Sequence, residues 1–341
     1  MKRWAIDRHS RSSLRVDETS VRNPGAGEVL VRVSAVALNS RDLMMIETGM
    51  GLTLDFPFVP GSDMAGVVEA VGPGVTRFAI DDHVISNFLP DWIEGKPGGT
   101  AQEPSYKSLG GYYPGVLADY VTFSEQWFTL APATLDDVQA STLPVAGLTA
   151  WFSLIEQGGL KAGETVFLPG TGGVALFALQ IAVAHGAEVI ITSSSEDKLR
   201  RAIALGAAHG INRTSADVVK KTLALTGGRG ADHVLELVGG ENFKNSVEIV
   251  SVGGRISVIG LLGAQDLSTP TTPILLKAPT IQGIVTGHRR AAEDLVRAVD
   301  RIQLRPVIER RYSFNDLPAA LDNLDRGAFG KIVIEMNDNR S

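Results

Sequence analysis

The chain contains no cysteine in 341 residues. That absence removes disulfides, thiolate nucleophiles and Cys-ligated zinc together, and it fits a reducing compartment. There is no run of Lys or Arg, and the formal net charge is −6, so the electrostatic footprint of a nucleic-acid partner is missing. No window of ~18 apolar residues suggests a membrane span. The opening Met1-Lys2-Arg3-Trp4-Ala5-Ile6-Asp7 turns acidic before an apolar signal core could form, from which a cytoplasmic protein is expected. The six histidines, His9, His83, His185, His209, His233 and His288, are scattered without paired ligand spacing, so they promise no metal centre.

What is present is a 44% hydrophobic fraction, enough to fill two cores, and a length that suits two domains. The chain is organised around Thr165 to Ala175, Thr-Val-Phe-Leu-Pro-Gly-Thr-Gly-Gly-Val-Ala. Val166, Phe167 and Leu168 read as a short buried strand, and Pro169 falls at its end, where a missing donor does little harm. Gly170-x-Gly172-x-x-Ala175 then opens an apolar helix over Val174 to about His185, which is the dinucleotide fingerprint with alanine in third place. Gly170 permits a tight turn, Gly172 lets backbone approach a pyrophosphate, and the small third residue lets helix pack on strand. Thr171, Gly173 and Val174 complete the loop, whose free N–H groups and helix dipole favour a phosphate.

Strand and helix candidates alternate after the fingerprint: Glu188 to Ser193, a helix Glu196 to Leu205, Gly210 to Asn212, a helix Ser215 to Leu225, His233 to Val238, a helix Glu241 to Val250, Arg255 to Ile259 and Thr280 to Thr286. Such alternation implies a parallel, doubly wound α/β sheet with helices on both faces. Residues 1–85 are instead β-rich with glycine turns, which suggests a small barrel. From Asn87 to Gly115 the chain is Pro-, Gly- and polar-rich, interrupted by Phe88, Trp92, Tyr106, Tyr112 and Tyr113. It reads either as a functional lid or as a loop its rings anchor to its own domain. The helix and strand candidates after Ala291 are assigned to the first domain. The expected division is therefore 1–146 with 287–341, around 147–286.

Read end to end, the chain resembles the medium-chain dehydrogenase/reductase superfamily, especially its zinc-independent quinone-oxidoreductase-like members. The strings that carry the resemblance are Asn39-Ser40-Arg41-Asp42, Pro60 to Val68, Leu143 to Ala150, Gly170 to Ala175, Val238-Gly239, Val258-Ile259-Gly260 and Gly330-Lys331. The resemblance implies a Rossmann domain plus a discontinuous GroES-like catalytic domain. Zinc-dependent members place a Cys, a His and a Cys where this chain has Asn39, Ser62 and Val145, so the catalytic metal site looks absent. It also implies that Thr149, Val238, Gly239, Ile259, Gly260 and Leu261 line the nicotinamide end, that Phe329, Gly330 and Lys331 approach the cofactor, and that the protein is a homodimer.

In dinucleotide folds an Asp or Glu at the end of the second strand indicates NAD through the ribose hydroxyls. This chain has Ser193 there, then Ser194, with Lys198 a turn beyond and Arg213 closing the third strand. Hydroxyls and cations suit a 2′-phosphate, so NADPH is expected, with NADH possible and no zinc. Without a Lewis acid the protein has little means of ionising an alcohol, so hydride transfer to a quinone or an α,β-unsaturated carbonyl compound fits better. The resulting oxyanion needs hydrogen-bond donors, and its proton comes from a nearby side chain or from solvent; the candidate side chains are Asn39, Arg41, Ser62, Tyr112 and Tyr113. Asp42 or Asp63 could alternatively pair with Arg41. Two other readings stay open: a metal-free alcohol dehydrogenase, and a non-catalytic NADPH-binding protein.

Overall fold

The computed structural model describes residues 1–260 and 266–336. Two units divide the chain: Met1–Leu148 with the described part of Thr286–Ser341, and Thr149–Val285.

In the Thr149–Val285 unit, six parallel strands lie in the spatial order His209–Asn212, Glu188–Ser193, Thr165–Pro169, Ala231–Glu236, Val250–Val258 and Thr280–Gly283. Counted along the chain this is the 3-2-1-4-5-6 order of a Rossmann sheet. Val166, Leu168, Val189, Ile190 and Val234 have no exposed surface, as strands covered on both faces require. The order of connection reverses between Thr165–Pro169 and Ala231–Glu236, the position where open parallel sheets take their ligands.

The helix after the fingerprint runs Gly173–Ala184, and most of its residues are buried, as its uniformly apolar sequence demands. The third helix begins at Val218, not Ser215, because Asp217 accepts from the Lys220 N–H at 3.0 Å and caps it there. The fifth strand starts at Val250, earlier than periodicity suggests. The chain passes from the helix Asn242–Ile249 directly into strand, with no glycine or proline to mark the change.

The other unit is built on a mixed seven-stranded sheet. Its order is Ile308–Ser313, Lys331–Glu335, Glu28–Leu38, Asp63–Val71, His83–Ser86 and Phe128–Leu130, with Tyr120–Ser124 also paired to Glu28–Leu38. Two registers matter. Ile332 pairs with Leu38, and Ala37 pairs with Asp63, so three strands distant in sequence bring Lys331, Asn39 and Asp63 to one end of the sheet. Among residues 87–115, Phe88 is 2% exposed and Leu109 fully buried, Tyr113 packs on Trp127 with centroids 4.5 Å apart, and Trp92 meets His288 edge-on. The rings therefore anchor this segment to its own unit, the second of the two readings. Each large buried side chain contributes roughly 1.5–3 kcal/mol towards that attachment.

Candidate active site

The fingerprint loop is shaped for a ligand. Gly170 sits at φ 121°, a conformation closed to side chains, and a Cβ at either Gly170 or Gly172 would meet nothing within 4 Å. Space above two glycines at the start of a twelve-residue helix is what a pyrophosphate needs. Thr171 is buried and Gly173 and Val174 form the first turn. Thr149 is 1% exposed, and its Oγ1 has no hydrogen-bond partner among the described residues, an orphan that a ligand amide could satisfy. These features fit a dinucleotide cofactor.

Ser193 closes the second strand, where an adenosine end is expected, and its Oγ accepts from the Ser195 N–H at 3.2 Å. The Arg213 N–H donates to the Ser193 carbonyl at 3.0 Å, which holds the exposed Arg213 beside that strand end. Ser194 is exposed, and Lys198 lies in the turn capped by Ser195. Arg200 is committed elsewhere, to Asp197 at 3.0 Å. At the other end, Val238–Gly239 and Ile259–Gly260 are tied together. The N–H groups of Val238 and Gly239 donate to one oxygen of Glu236, and those of Ile259 and Gly260 to the Glu236 carbonyl. Leu261 lies outside the described residues.

The second group of candidates lies in the sheet of the other unit. Lys331, 3% exposed, donates from Nζ to the Leu38 carbonyl and to Asn39 Oδ1, each at 2.6 Å. Because an ammonium can only donate, this contact fixes which end of the Asn39 amide is oxygen. Asn39 Nδ2 is left buried without a well-formed hydrogen bond, although it lies near enough to Asp63 to favour that carboxylate. Asn39 precedes the helix Ser40–Thr48, and Asp42 in its first turn accepts from the Asn39 N–H at 2.8 Å.

Asp42 and Asp63 are both buried beside Lys331. Burial first, and then the Asp63 charge, push Asp42 up to about 6. Burial also raises Asp63, against the opposing pull of Lys331 and of the Ser62 hydroxyl, which donates to it at 2.7 Å. The Lys331 ammonium is lowered by desolvation and partly restored by the two carboxylates.

Arg41 pairs with neither acid. Its donors go to Tyr106 Oη, Ser108 Oγ and the Leu109 and Gly110 carbonyls, and its guanidinium lies 5.0 Å from the Phe88 ring centroid. It is the clamp on the aromatic loop. Tyr113 donates to Asp91 at 2.6 Å, and burial, followed by that bond, raises its pKa. Tyr112 is exposed, with the Lys107 ammonium over its ring. Phe329 is buried, and Gly330 lies so close to the Val307 carbonyl that no Cβ would fit. Of the five donor candidates, Asn39 alone has a buried side-chain donor atom without a well-formed hydrogen bond, and that atom lies near the Asp63 carboxylate.

The three positions that the resemblance sets against zinc ligands, Asn39, Ser62 and Val145, offer a metal a poor donor set. Val145 contributes only its N–H, which goes to Asp63 at 3.0 Å; the Ser62 hydroxyl is spent on the same carboxylate; and Asn39 Oδ1 already faces a cation. Among the described residues no group of three or more His, Cys, Asp or Glu is placed to hold one. No described helix is long and apolar enough to cross a membrane.

Reading the sequence missed Glu236 altogether, though a charged residue in the middle of the run His-Val-Leu-Glu-Leu-Val-Gly-Gly was a visible anomaly. It also placed Lys331 near the cofactor without seeing that its side chain turns inward to Asn39.

A Rossmann sheet with a fingerprint loop, in a chain whose β-rich unit it interrupts in sequence, defines a nicotinamide-dependent oxidoreductase. The comparisons name the family. Residues 25–133 match the alcohol dehydrogenase GroES-like domain and residues 173–302 the zinc-binding dehydrogenase domain. A zinc-type alcohol dehydrogenase-like protein of Schizosaccharomyces pombe is 35% identical over 92% of both chains, and the rat quinone oxidoreductase is 26% identical over 91% of this chain and 90% of its own. A solved structure described as an alcohol dehydrogenase from Sinorhizobium meliloti 1021 is 56% identical over 98% of both chains, with a TM-score of 0.96. Another, an NAD-dependent alcohol dehydrogenase, is 32% identical with a TM-score of 0.86, covering 99% of this chain and all of the other. The chain belongs to the medium-chain dehydrogenase/reductase superfamily and is an NAD(P)-dependent oxidoreductase.

Proposed function

We propose that this enzyme reduces a quinone or an α,β-unsaturated carbonyl compound with NADPH and without zinc. The observation that carries the reading is the Lys331–Asn39 contact, 2.6 Å long, at a position where a catalytic zinc would need a lone pair. When bound, the reduced nicotinamide supplies a hydride equivalent, and the acceptor must bring its own electron-withdrawing group because no Lewis acid activates an alcohol.

In this reading Asn39 Nδ2 donates to the oxygen on which charge develops, and Lys331 holds the amide in that orientation. Ser62, Asp63 and the Val145 N–H form the buried frame behind it. Gly170, Thr171, Gly172, Gly173 and Val174 take the pyrophosphate, and Thr149, Val238, Gly239, Ile259 and Gly260 the nicotinamide. Ser193, Ser194, Lys198 and Arg213 favour a 2′-phosphate, since no carboxylate stands among these four to repel it. We assign the protein to the cytoplasm, with which its lack of cysteine agrees, and to a homodimer joined along Thr280–Gly283, whose four residues are all exposed at the sheet edge.

A panel of quinones, enones, aldehydes and alcohols, assayed with NADPH and NADH, tests the substrate class. Turnover of quinones or enones is expected. Faster cofactor reduction by simple alcohols would instead favour a metal-free alcohol dehydrogenase, and saturable cofactor binding with no turnover anywhere on the panel a non-catalytic role.

A further inference from the structure

The side chain of Glu236 has no exposed surface, and among the described residues its four hydrogen-bond partners are all uncharged. One carboxylate oxygen receives the backbone N–H groups of Val238 at 2.8 Å and Gly239 at 2.9 Å. The other receives Asn242 Nδ2 at 2.8 Å and Ser246 Oγ at 2.5 Å, both from the helix Asn242–Ile249. Burying a carboxylate without a cation is costly unless every lone pair is satisfied, and here both oxygens are.

The placement of this group gives it meaning. Glu236 ends the strand beside the fingerprint strand, at the reversal of the sheet order. Its carboxylate gathers the turn in which Gly239 and Gly240 take φ of 79° and 61°, while its carbonyl accepts from the N–H groups of Ile259 and Gly260 at 2.9 and 3.0 Å. A Cβ on Gly260 would lie 1.8 Å from the Leu237 carbonyl oxygen, so the two loops touch backbone to backbone. One residue thus sets four amides in two loops.

We infer that Glu236 is a positioning residue for the nicotinamide half of the cofactor site: it holds Val238–Gly239 and Ile259–Gly260 as one wall, and has no part in holding the adenosine half. The inference rests on the nicotinamide reading of this unit. It requires a selective effect, because the fingerprint loop and Ser193 are made by other residues.

The test compares NADPH with 2′-phospho-ADP-ribose, which lacks the nicotinamide, by calorimetric or fluorescence titration of the full chain. Glu236→Leu is expected to weaken NADPH by about tenfold or more, the size of a lost charged hydrogen-bond set, and to leave 2′-phospho-ADP-ribose within about twofold. Glu236→Gln keeps a carbonyl oxygen for the two amides and is expected to recover most of the NADPH affinity. Should Glu236→Leu not fold, Asn242→Ala with Ser246→Ala removes the carboxylate's side-chain supports, and the same selective loss is expected. Equal loss for both ligands, or no loss for either, overturns the inference. Failure of the native chain to bind both ligands sinks the nucleotide reading itself, and the inference with it.

Discussion

The Lys331 ammonium donates to the Asn39 side-chain oxygen at 2.6 Å, across 292 residues of sequence, and both belong to a buried cluster with Asp42 and Asp63. Lys331 faces both carboxylates there, so removing its charge should be felt strongly. Lys331→Met is predicted to destabilise the protein by about 3–5 kcal/mol at pH 8, the usual cost of stranding a buried charge. Burial raises both acids above their unfolded values, so the penalty of ionising them is absent below about pH 4 and grows as pH rises. Urea unfolding should therefore show a smaller loss at pH 5 than at pH 8. A loss that does not vary with pH contradicts this arrangement.

Asp42 gives the opposite sign. With its carboxyl pushed up to about 6, its contribution is most favourable below its unfolded value of 3.8 and is lost as pH rises through about 6. Asp42→Asn keeps an acceptor for the Asn39 N–H and leaves Lys331 facing Asp63 alone. It should raise stability at pH 8 by on the order of 1–3 kcal/mol, with the gain vanishing near pH 4. Thermal melts across that range decide the matter; destabilisation at pH 8 would show that both charges are needed.

Ser193 is the position where cofactor choice should be switchable. A carboxylate at that strand end repels a 2′-phosphate and bonds ribose hydroxyls. Ser193→Asp is predicted to shift the NADPH/NADH preference towards NADH by about tenfold or more, read as the ratio of kcat/KM values. An unchanged ratio removes Ser193 from the cofactor site.

The edge strand Thr280–Gly283 and the residues near it in sequence expose Leu275, Leu276, Ile281 and Val285, at 72%, 76%, 41% and 53%. An exposed sheet edge favours strand pairing with a second copy, and Lys at the edge is a natural means of preventing it. Ile281→Lys should convert a dimer into a monomer by light scattering at micromolar concentration. A native chain that is already monomeric there contradicts the proposal.

Much of the Rossmann unit was legible because each of its elements carries its own local signal: apolar runs for buried strands, and Gly170 and Gly172 between strand and helix. The Lys331–Asn39–Asp63 cluster was not, because it depends on the register of three strands, and register is set by pairing partners far away in sequence. Arg41 shows the same limit. Its neighbour Asp42 and nearby Asp63 were the obvious partners on charge alone. The observed partners are neutral groups on a loop some 65 residues on, reached because that loop folds back against the helix Ser40–Thr48. Glu236 was readable only as an oddity, since what it holds is backbone.

The central claim is hydride transfer from a nicotinamide without a metal, and it is tested most directly by one assay. The full chain, dialysed exhaustively against a chelator and checked for zinc by elemental analysis, is given NADPH with a quinone or an enone, and oxidation is followed at the nicotinamide absorbance. The account predicts unchanged turnover with no stoichiometric zinc. Turnover that disappears with the metal and returns when zinc is restored would contradict it.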